Sequence, residues 1–272
     1  SLEEAIRLTG LFIRKGTVVQ VREPNGVVMT DDDDDPDQLY SGPLVVLTSR
    51  FSASASEILA GALQDYGRAL IVGDSSTHGK GTVQSLMPLL RFPGAFPRGE
   101  FSPTNNPGEL KLTIRKFYRP SGSSTQLRGV VPDIILPSVN NLAEIGEVNL
   151  DNALPWDTIQ AANYEPLNCV KPYVEELKLL STNRVEKEPE YAYVREDMDL
   201  FKKALADKTV SLNESQRLKE KQEIELREKA RRQARANRTA SGNIEYDLTL
   251  KQAELPGLPP LAAETNSVGS AA

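Results

Sequence analysis

The sequence predicts an α/β protein with a parallel-sheet core, followed by a mainly helical C-terminal region. Two short apolar runs, residues 43–48 and 69–73, have the continuous hydrophobicity of strands that are buried on both faces. Between them, residues 55–66 repeat apolar side chains at the spacing of an amphipathic helix, which Gly67 ends. A strand, a helix and a second strand within about 30 residues form a βαβ unit, whose two strands are parallel.

Other segments extend this core on both sides. Apolar side chains in residues 2–13 recur loosely at helical spacing, and residues 17–21 form a β-branched run typical of a strand. Residues 109–118 alternate apolar and polar side chains, which predicts a half-exposed strand. Residues 130–136 predict a further strand, in which Pro132 indicates an edge or an end.

The composition changes at about residue 140, where the chain becomes acidic and then strongly polar. Residues 211–238 are almost wholly polar and predict a solvated helix. The last residues have the composition of a disordered tail. We therefore divide the chain into a core of residues 1–140, a helical domain of residues 141–255 and a tail of residues 256–272.

Charge and cysteine content exclude several functions. The net charge is −6, which gives no reason to expect nucleic acid as a partner. The basic cluster at residues 231–235 lacks interleaved aromatic side chains and follows acidic residues, so it indicates a solvated helix face. Cys169 is the single cysteine, so an internal disulfide and a zinc site built on several thiolates are both excluded.

The run of aspartates at Asp31–Asp35 is the one feature that suggests a metal. Closely spaced carboxylates attract calcium, but the run lacks the glycine and glutamate pattern of an EF-hand. We therefore predict an exposed acidic loop at these residues, with no bound metal.

The first residues do not form a signal peptide, because Glu3 and Glu4 stand where a basic region belongs. No stretch approaches the roughly 20 apolar residues that span a bilayer. We read the sequence as part of a longer protein whose targeting region lies elsewhere, so membrane association is not readable from these residues.

A candidate nucleophile lies at the start of the predicted crossover helix. Ser54 falls between a buried strand and a helix, where its hydroxyl projects above the sheet edge beside the first helical N–H groups. Those groups can stabilise an oxyanion, as acyl transfer requires. The alternative is structural, because Ser54 and Glu57 also match a capping box that satisfies the free amides of a helix start.

A candidate base follows the second strand of the βαβ unit. Lys80 lies between Gly79 and Gly81, in a loop that meets the turn at Ser54 if the two parallel strands are neighbours. A neutral lysine acts as a general base, and Gln84, four residues later, is placed to hold its amine. A surface lysine and a phosphate-binding lysine remain alternatives, although the loop does not match a P-loop.

His78, the single histidine, is the rival base, with Asp65 as its acid partner. Ser54 and Asp65 are separated by three helical turns, roughly 16 Å along a straight helix axis. That separation does not suit one compact Ser–His–Asp cluster, which favours Lys80.

These residues resemble the C-terminal processing peptidases, and among them the bacterial tail-specific proteases. The resemblance runs in family order from residue 1 to about residue 140, and the remaining residues are similar to the C-terminal extension of tail-specific proteases. The matching stretches are Val46–Ile58, Gln64–Ala69, Gly79–Gln84, Leu112–Arg119 and Gly129–Ile134.

The resemblance implies a crotonase/ClpP-like catalytic core with a Ser–Lys dyad and no cofactor. Ser54 would be the nucleophile, Lys80 the base and Gln84 the residue that orients the base. The Ala55 amide would be an oxyanion donor, and we interpret Asp65 as structural. The loop before Lys80 is one residue longer than usual in the family, and the glycine-rich oxyanion segment and the PDZ domain would lie upstream of Ser1.

The same resemblance implies a serine endopeptidase of the bacterial periplasm. Its expected partners are protein substrates with nonpolar C-terminal tails and an adaptor protein, with no nucleic acid. Two alternatives stay open: a catalytically silent binding or scaffold module of the same fold, and an esterase or amidase that uses His78.

Overall fold

The computed structural model describes residues 1–89, 108–207, 209–238, 246 and 248–257. The chain divides into two compact units, Ser1–Lys208 and Thr209–Ala272. The domain boundary predicted at residue 140 lies inside the first unit and stays a prediction. Apart from its first two residues, the predicted tail lies outside the described residues.

Within its described residues, the first unit contains seven strands and four α-helices. In chain order they are α1 (Leu2–Gly10), β1 (Gly16–Arg22), β2 (Val28–Asp33), β3 (Val45–Thr48), α2 (Ala55–Asp65), β4 (Leu70–Gly73), β5 (Thr82–Pro88), β6 (Glu109–Tyr118), β7 (Ile134–Ile135), α3 (Val174–Lys187) and α4 (Pro189–Asp207).

The strands form two sheets. One is parallel, with the order β3-β4-β7, and the other is antiparallel, with the order β2-β1-β6-β5. Strands β3 and β4 precede and follow α2 in the chain, and they pair in parallel. This confirms the predicted βαβ unit. The carboxyl ends of β3 and β4 therefore lie side by side, and the turn after each strand starts from the same sheet edge.

The core lies where α2 packs against β1, β4 and α1. Leu63 of α2 is fully buried, as is Ile71 of β4, and Val18 and Val19 of β1 are each 1% exposed. Burying an aliphatic side chain of this kind stabilises a fold by about 1.5–3 kcal/mol. This packing fixes the axis of α2 and hence the position of Ser54, the residue directly before the helix.

The prediction of an exposed acidic loop at Asp31–Asp35 is wrong for its first three residues. Asp31 to Asp33 belong to β2, in which Asp31 pairs with Val19 and Asp33 pairs with Gly16. Asp33 is 8% exposed because it packs under α1, and this burial raises the pKa of its carboxyl group. Within the described residues, no group of three metal-binding side chains is close enough to hold an ion.

The strand predicted at residues 130–136 is shorter in the structure, where β7 covers only Ile134 and Ile135. The Val130 amide donates to the Thr77 hydroxyl at 2.7 Å, and Pro132 has no amide to donate. Strands β2 and β5 were not predicted from the sequence.

In the second unit, α5 (Glu214–Ala236) confirms the predicted polar helix. The Asn213 side chain caps it by accepting a hydrogen bond from the Gln216 amide at 3.1 Å. A short helix, α6 (Leu250–Ala253), follows. Across the described ranges, none of the helices has the length and apolar character needed to cross a bilayer.

Candidate active site

Ser54 lies in the turn between β3 and α2, directly before the first helical residue. Its backbone has φ 57° and ψ −111°, a conformation that residues other than glycine rarely adopt. Holding a residue there costs about 1–3 kcal/mol, so the surrounding contacts must impose it. Strain of this kind concentrates at functional turns, where it aims a side chain that a relaxed backbone would direct elsewhere.

Ser54 and Glu57 have the arrangement of a capping box, but the carboxylate dominates it. The Ser54 amide donates to Glu57 Oε2 at 2.7 Å. The Glu57 amide donates to the Ser54 carbonyl oxygen at 2.9 Å, so this amide does not depend on the Ser54 hydroxyl. The Ser54 side chain also lies beside the Glu57 amide, as in a capping box, but it makes no hydrogen bond that caps the helix, so capping accounts mainly for the backbone contacts of Ser54.

The carboxylate of Glu57 is fully buried and accepts four hydrogen bonds. Oε1 accepts from the Thr77 hydroxyl at 2.5 Å and from the Gly79 amide at 2.6 Å, and Oε2 accepts from the amides of Ser54 at 2.7 Å and Lys80 at 3.0 Å. Burial raises the pKa of Glu57, while these four hydrogen bonds act in the opposite direction. One side chain thus binds the helix start and the lysine loop together.

The glycines beside Lys80 allow this loop to lie close to residues 124–127. Gly79 has φ +91°, and a Cβ atom there would lie 2.9 Å from the Leu127 carbonyl carbon. A Cβ atom at Gly81 would lie 2.7 Å from the Gln126 amide nitrogen. A side chain at either position would push the loop away from this segment.

Hydrogen bonds to the same segment hold the Lys80 backbone. The Lys80 carbonyl oxygen accepts from the Thr125 hydroxyl at 3.0 Å, and the Gly81 amide donates to Gln126 Oε1 at 2.8 Å. The Leu127 amide donates to the Gly79 carbonyl oxygen at 2.7 Å. The backbone around Lys80 is therefore held by two sets of partners, Glu57 and residues 125–127.

The Lys80 side chain is half-buried and points towards the start of β5. Its Nζ donates to Gln84 Oε1 at 3.3 Å, so the structure brings these two predicted site residues into contact. The Ala55 amide is the first of α2 and has no acceptor among the described residues. Acyl transfer needs a hydroxyl, an amine and a free N–H donor. Ser54, Lys80 and Ala55 carry these three groups, and they belong to segments that converge on Glu57.

His78 lies in the same loop, but it faces Glu147 and not Asp65. Its Nδ1 is 3.9 Å from Glu147 Oε2 and, within the described chain, has no hydrogen-bond partner. Its amide donates to the Ser52 carbonyl oxygen at 2.9 Å, which binds the two turns together. Asp65 is at the other end of α2 and contacts neither Ser54 nor His78 through any hydrogen bond in this part of the chain.

Asp65 is held in an ion pair with Arg119. Both carboxylate oxygens accept from the Arg119 guanidinium, with Nε at 3.2 Å from Oδ2, and Oδ2 also accepts from the Ser121 amide at 3.0 Å. The Asp65 side chain is 8% exposed. These contacts anchor the end of α2 to the turn after β6.

Sequence reasoning missed the wider part that Glu57 plays. The capping-box pattern indicated its contact with Ser54, but its partners Thr77, Gly79 and Lys80 are 20 to 23 residues away, as their hydrogen bonds show. Arg50 was also missed. Its guanidinium donates to the Thr77 carbonyl oxygen at 3.2 Å and also to Ser76 Oγ and the Ile145 carbonyl oxygen.

Comparison with protein families gives two matches that together cover most of the chain. The model of peptidase family S41 matches residues 1–136. The model of the C-terminal domain of tail-specific protease matches residues 141–257.

Individual proteins agree with these matches. The tail-specific protease of Haemophilus influenzae is 40% identical over 230 residues, which is 84% of this chain and 32% of that protein. The carboxy-terminal-processing protease of Bartonella bacilliformis is 42% identical over 136 residues, 50% of this chain and 28% of that protein. This chain therefore spans less than a third of the length of either relative.

Among solved structures, a photosystem II D1 C-terminal processing protease aligns with 50% of this chain and 31% of its own. The two share 29% sequence identity, and the TM-score is 0.42.

Replacing Glu57 with glutamine tests whether its carboxylate holds the site together. Each carboxylate oxygen accepts two hydrogen bonds, and at least one of the two comes from a backbone N–H. Whichever oxygen the glutamine NH₂ group replaces, at least one backbone N–H therefore loses its acceptor. We expect Glu57→Gln to lower the free energy of unfolding by about 3 kcal/mol, measured by urea denaturation.

Glu3→Gln is the matched control, because it makes the same chemical change at an exposed carboxylate of α1. We expect it to change the free energy of unfolding by less than about 0.5 kcal/mol. Equal stability of the two variants would show that the buried carboxylate is not needed.

Proposed function

Because this chain belongs to peptidase family S41, we propose that it forms the catalytic core of a serine endopeptidase in which Ser54 is the nucleophile and Lys80 the base. The observation that carries the proposal is the Glu57 carboxylate, which binds the amides of both residues. Two segments 26 positions apart in the chain are thereby fixed to one buried point.

The reaction begins when the neutral amine of Lys80 removes the proton from the Ser54 hydroxyl. Oγ then attacks the carbonyl carbon of the scissile peptide bond, and the Ala55 amide donates to the oxyanion that forms. Collapse of this intermediate breaks the C–N bond, and the Lys80 ammonium gives its proton to the departing amine. Lys80 then removes a proton from water, whose oxygen attacks the acyl carbon. As the ester bond to Ser54 Oγ breaks, the Lys80 ammonium returns the proton to that oxygen.

Gln84 orients the base in this scheme. Its Oε1 accepts a hydrogen bond from Lys80 Nζ at 3.3 Å, which limits the rotation of a long and flexible side chain. The strained backbone of Ser54 fulfils the corresponding task for the nucleophile, because it fixes the direction of Cβ at the head of α2. Holding both reacting groups in place before a substrate arrives would lower the entropic part of the barrier.

The contacts of His78 weigh against it as the base. Its Nδ1 faces Glu147 at 3.9 Å, a distance too long for the hydrogen bond that fixes a catalytic imidazole. A silent scaffold of the same fold would retain the Glu57 network but would have no need of the Lys80–Gln84 contact.

Single substitutions separate these mechanisms. Ser54→Ala and Lys80→Ala should each lower kcat for peptide cleavage by about 10⁴-fold or more, because each removes a group that acts in the same step. His78→Ala should retain most of the activity. The assay is the cleavage of an unstructured protein, such as casein, by the intact enzyme.

Thermal unfolding of the same three variants is the control for folding. Loss of cleavage in His78→Ala with activity kept in Lys80→Ala would transfer the role of base to His78. If Ser54→Ala unfolds at a lower temperature but cleaves at the normal rate, Ser54 only caps its helix.

We further propose that the substrates are proteins with nonpolar C-terminal tails in the bacterial periplasm. The proposal is supported by the similarity to a protein named tail-specific protease, together with the match to the C-terminal domain of such proteases. Recovery of the intact protein in the cytoplasmic fraction of its host would contradict this location.

The tail preference is tested with one unstructured protein carrying two different C-termini, Leu-Ala-Ala and Asp-Asp-Asp. We expect kcat/KM to be at least about tenfold higher for the apolar tail, a difference that corresponds to about 1.4 kcal/mol of binding. Equal values would remove tail recognition from the proposal while leaving the catalytic assignments in place.

A further inference from the structure

Strand β5 leads directly out of the candidate active site. It begins two residues after Lys80, and its third residue is Gln84, which contacts Lys80 Nζ. In the described part of the sheet, β5 pairs only with β6 and forms one edge. An edge strand offers unpaired N–H and C=O groups to another extended chain.

The register shows which backbone groups face outward from this edge. The Leu89 amide donates inward, to the Gly108 carbonyl oxygen at 3.1 Å, while Pro88 has no amide and fits only where no ladder bond is needed. Because neighbouring residues in a strand alternate in direction, Leu86 and Gln84 present their N–H and C=O groups on the same side as Pro88. That side is the outer edge of the sheet.

The two edges of this sheet differ in charge. The other edge, β2, carries the exposed Asp32 beside the partly buried Asp31, and charged side chains commonly protect an edge from pairing with foreign chains. Residues Thr82–Pro88 of β5 include no charged side chain. The strand beside the catalytic pair is thus the less protected of the two.

Strand β5 also carries an exposed apolar side chain, that of Leu86. Leu86 is 61% exposed and follows Gln84 by two residues, so both side chains lie on one face of the sheet. Two residues of a strand span about 6.8 Å, so Leu86 lies within two or three substrate residues of a bond cleaved beside Gln84.

We propose that the substrate chain next to the scissile bond adds to β5 as a further strand, and that Leu86 receives one of its apolar side chains. The substrate backbone pairs with the outward N–H and C=O groups of Gln84 and Leu86. Main-chain pairing of this type accepts many sequences, while single side-chain contacts provide selectivity. The inference rests on the proposed peptidase function and concerns how the substrate is held.

A scan of N-methyl groups along a substrate peptide tests the pairing. The probe is an internally quenched ten-residue peptide with apolar residues around the cleaved bond, together with variants that each carry one N-methylated amide. Methylation removes a hydrogen-bond donor, so alternate positions should lose about tenfold or more in kcat/KM while the positions between them lose little. Equal losses at all positions, or no loss, would overturn the pairing with β5.

Leu86→Ala, with Leu112→Ala as its control, tests the side-chain contact. Leu112 is 45% exposed and belongs to the adjoining strand β6, where it pairs with Ser85 and therefore lies on the opposite face. We expect Leu86→Ala to lower kcat/KM about fivefold, mainly through KM, and Leu112→Ala to leave it unchanged. Equal effects of the two substitutions would overturn the contact with Leu86.

Ser54→Ala separates this inference from the proposed function. If that variant still cleaves the unmethylated peptide, the proposed nucleophile is wrong. If Ser54→Ala is inactive and the N-methyl scan is flat, the nucleophile stands and the docking edge is wrong.

Discussion

The candidate site depends on one buried carboxylate, that of Glu57. An ionised group removed from water is strongly destabilising unless hydrogen bonds replace its hydration, and four donors do so here. Two of these donors are the amides of Ser54 and Lys80. The need to satisfy Glu57 therefore forces the helix start and the lysine loop into contact, and a folding requirement sets the geometry on which the proposed chemistry relies.

Other features make this arrangement rigid. The backbone strain at Ser54 is maintained by α2, whose buried face is fixed against β1 and β4. Gly79 and Gly81 let the loop approach residues 124–127, which hold it through hydrogen bonds additional to those with Glu57. A site built in this way holds its groups through the backbone, so the side chains of Ser54 and Lys80 remain available for reaction.

The fold was predictable where the signal is local. The periodicity of residues 55–66 and the apolar runs beside them predicted α2, β3 and β4, because burial imposes those patterns directly. The prediction from sequence was wrong at β2. A run of aspartates is typical of a loop, but Asp31 to Asp33 pair with β1 and form part of a strand. The hydrogen bond between Glu57 and Lys80 was not predictable, because a contact between residues 23 positions apart leaves no periodic signal. The contact between Lys80 and Gln84 was predictable, because the two residues are only four positions apart.

The most direct test of the account is a crystal structure of the intact protein with a peptide boronic acid bound. The account predicts a bond from boron to Ser54 Oγ, with Lys80 Nζ within about 3.2 Å of that oxygen and a boronate oxygen on the Ala55 amide. A boronate bonded to another residue, or a Lys80 amine directed away from Ser54 while the adduct is present, would contradict it.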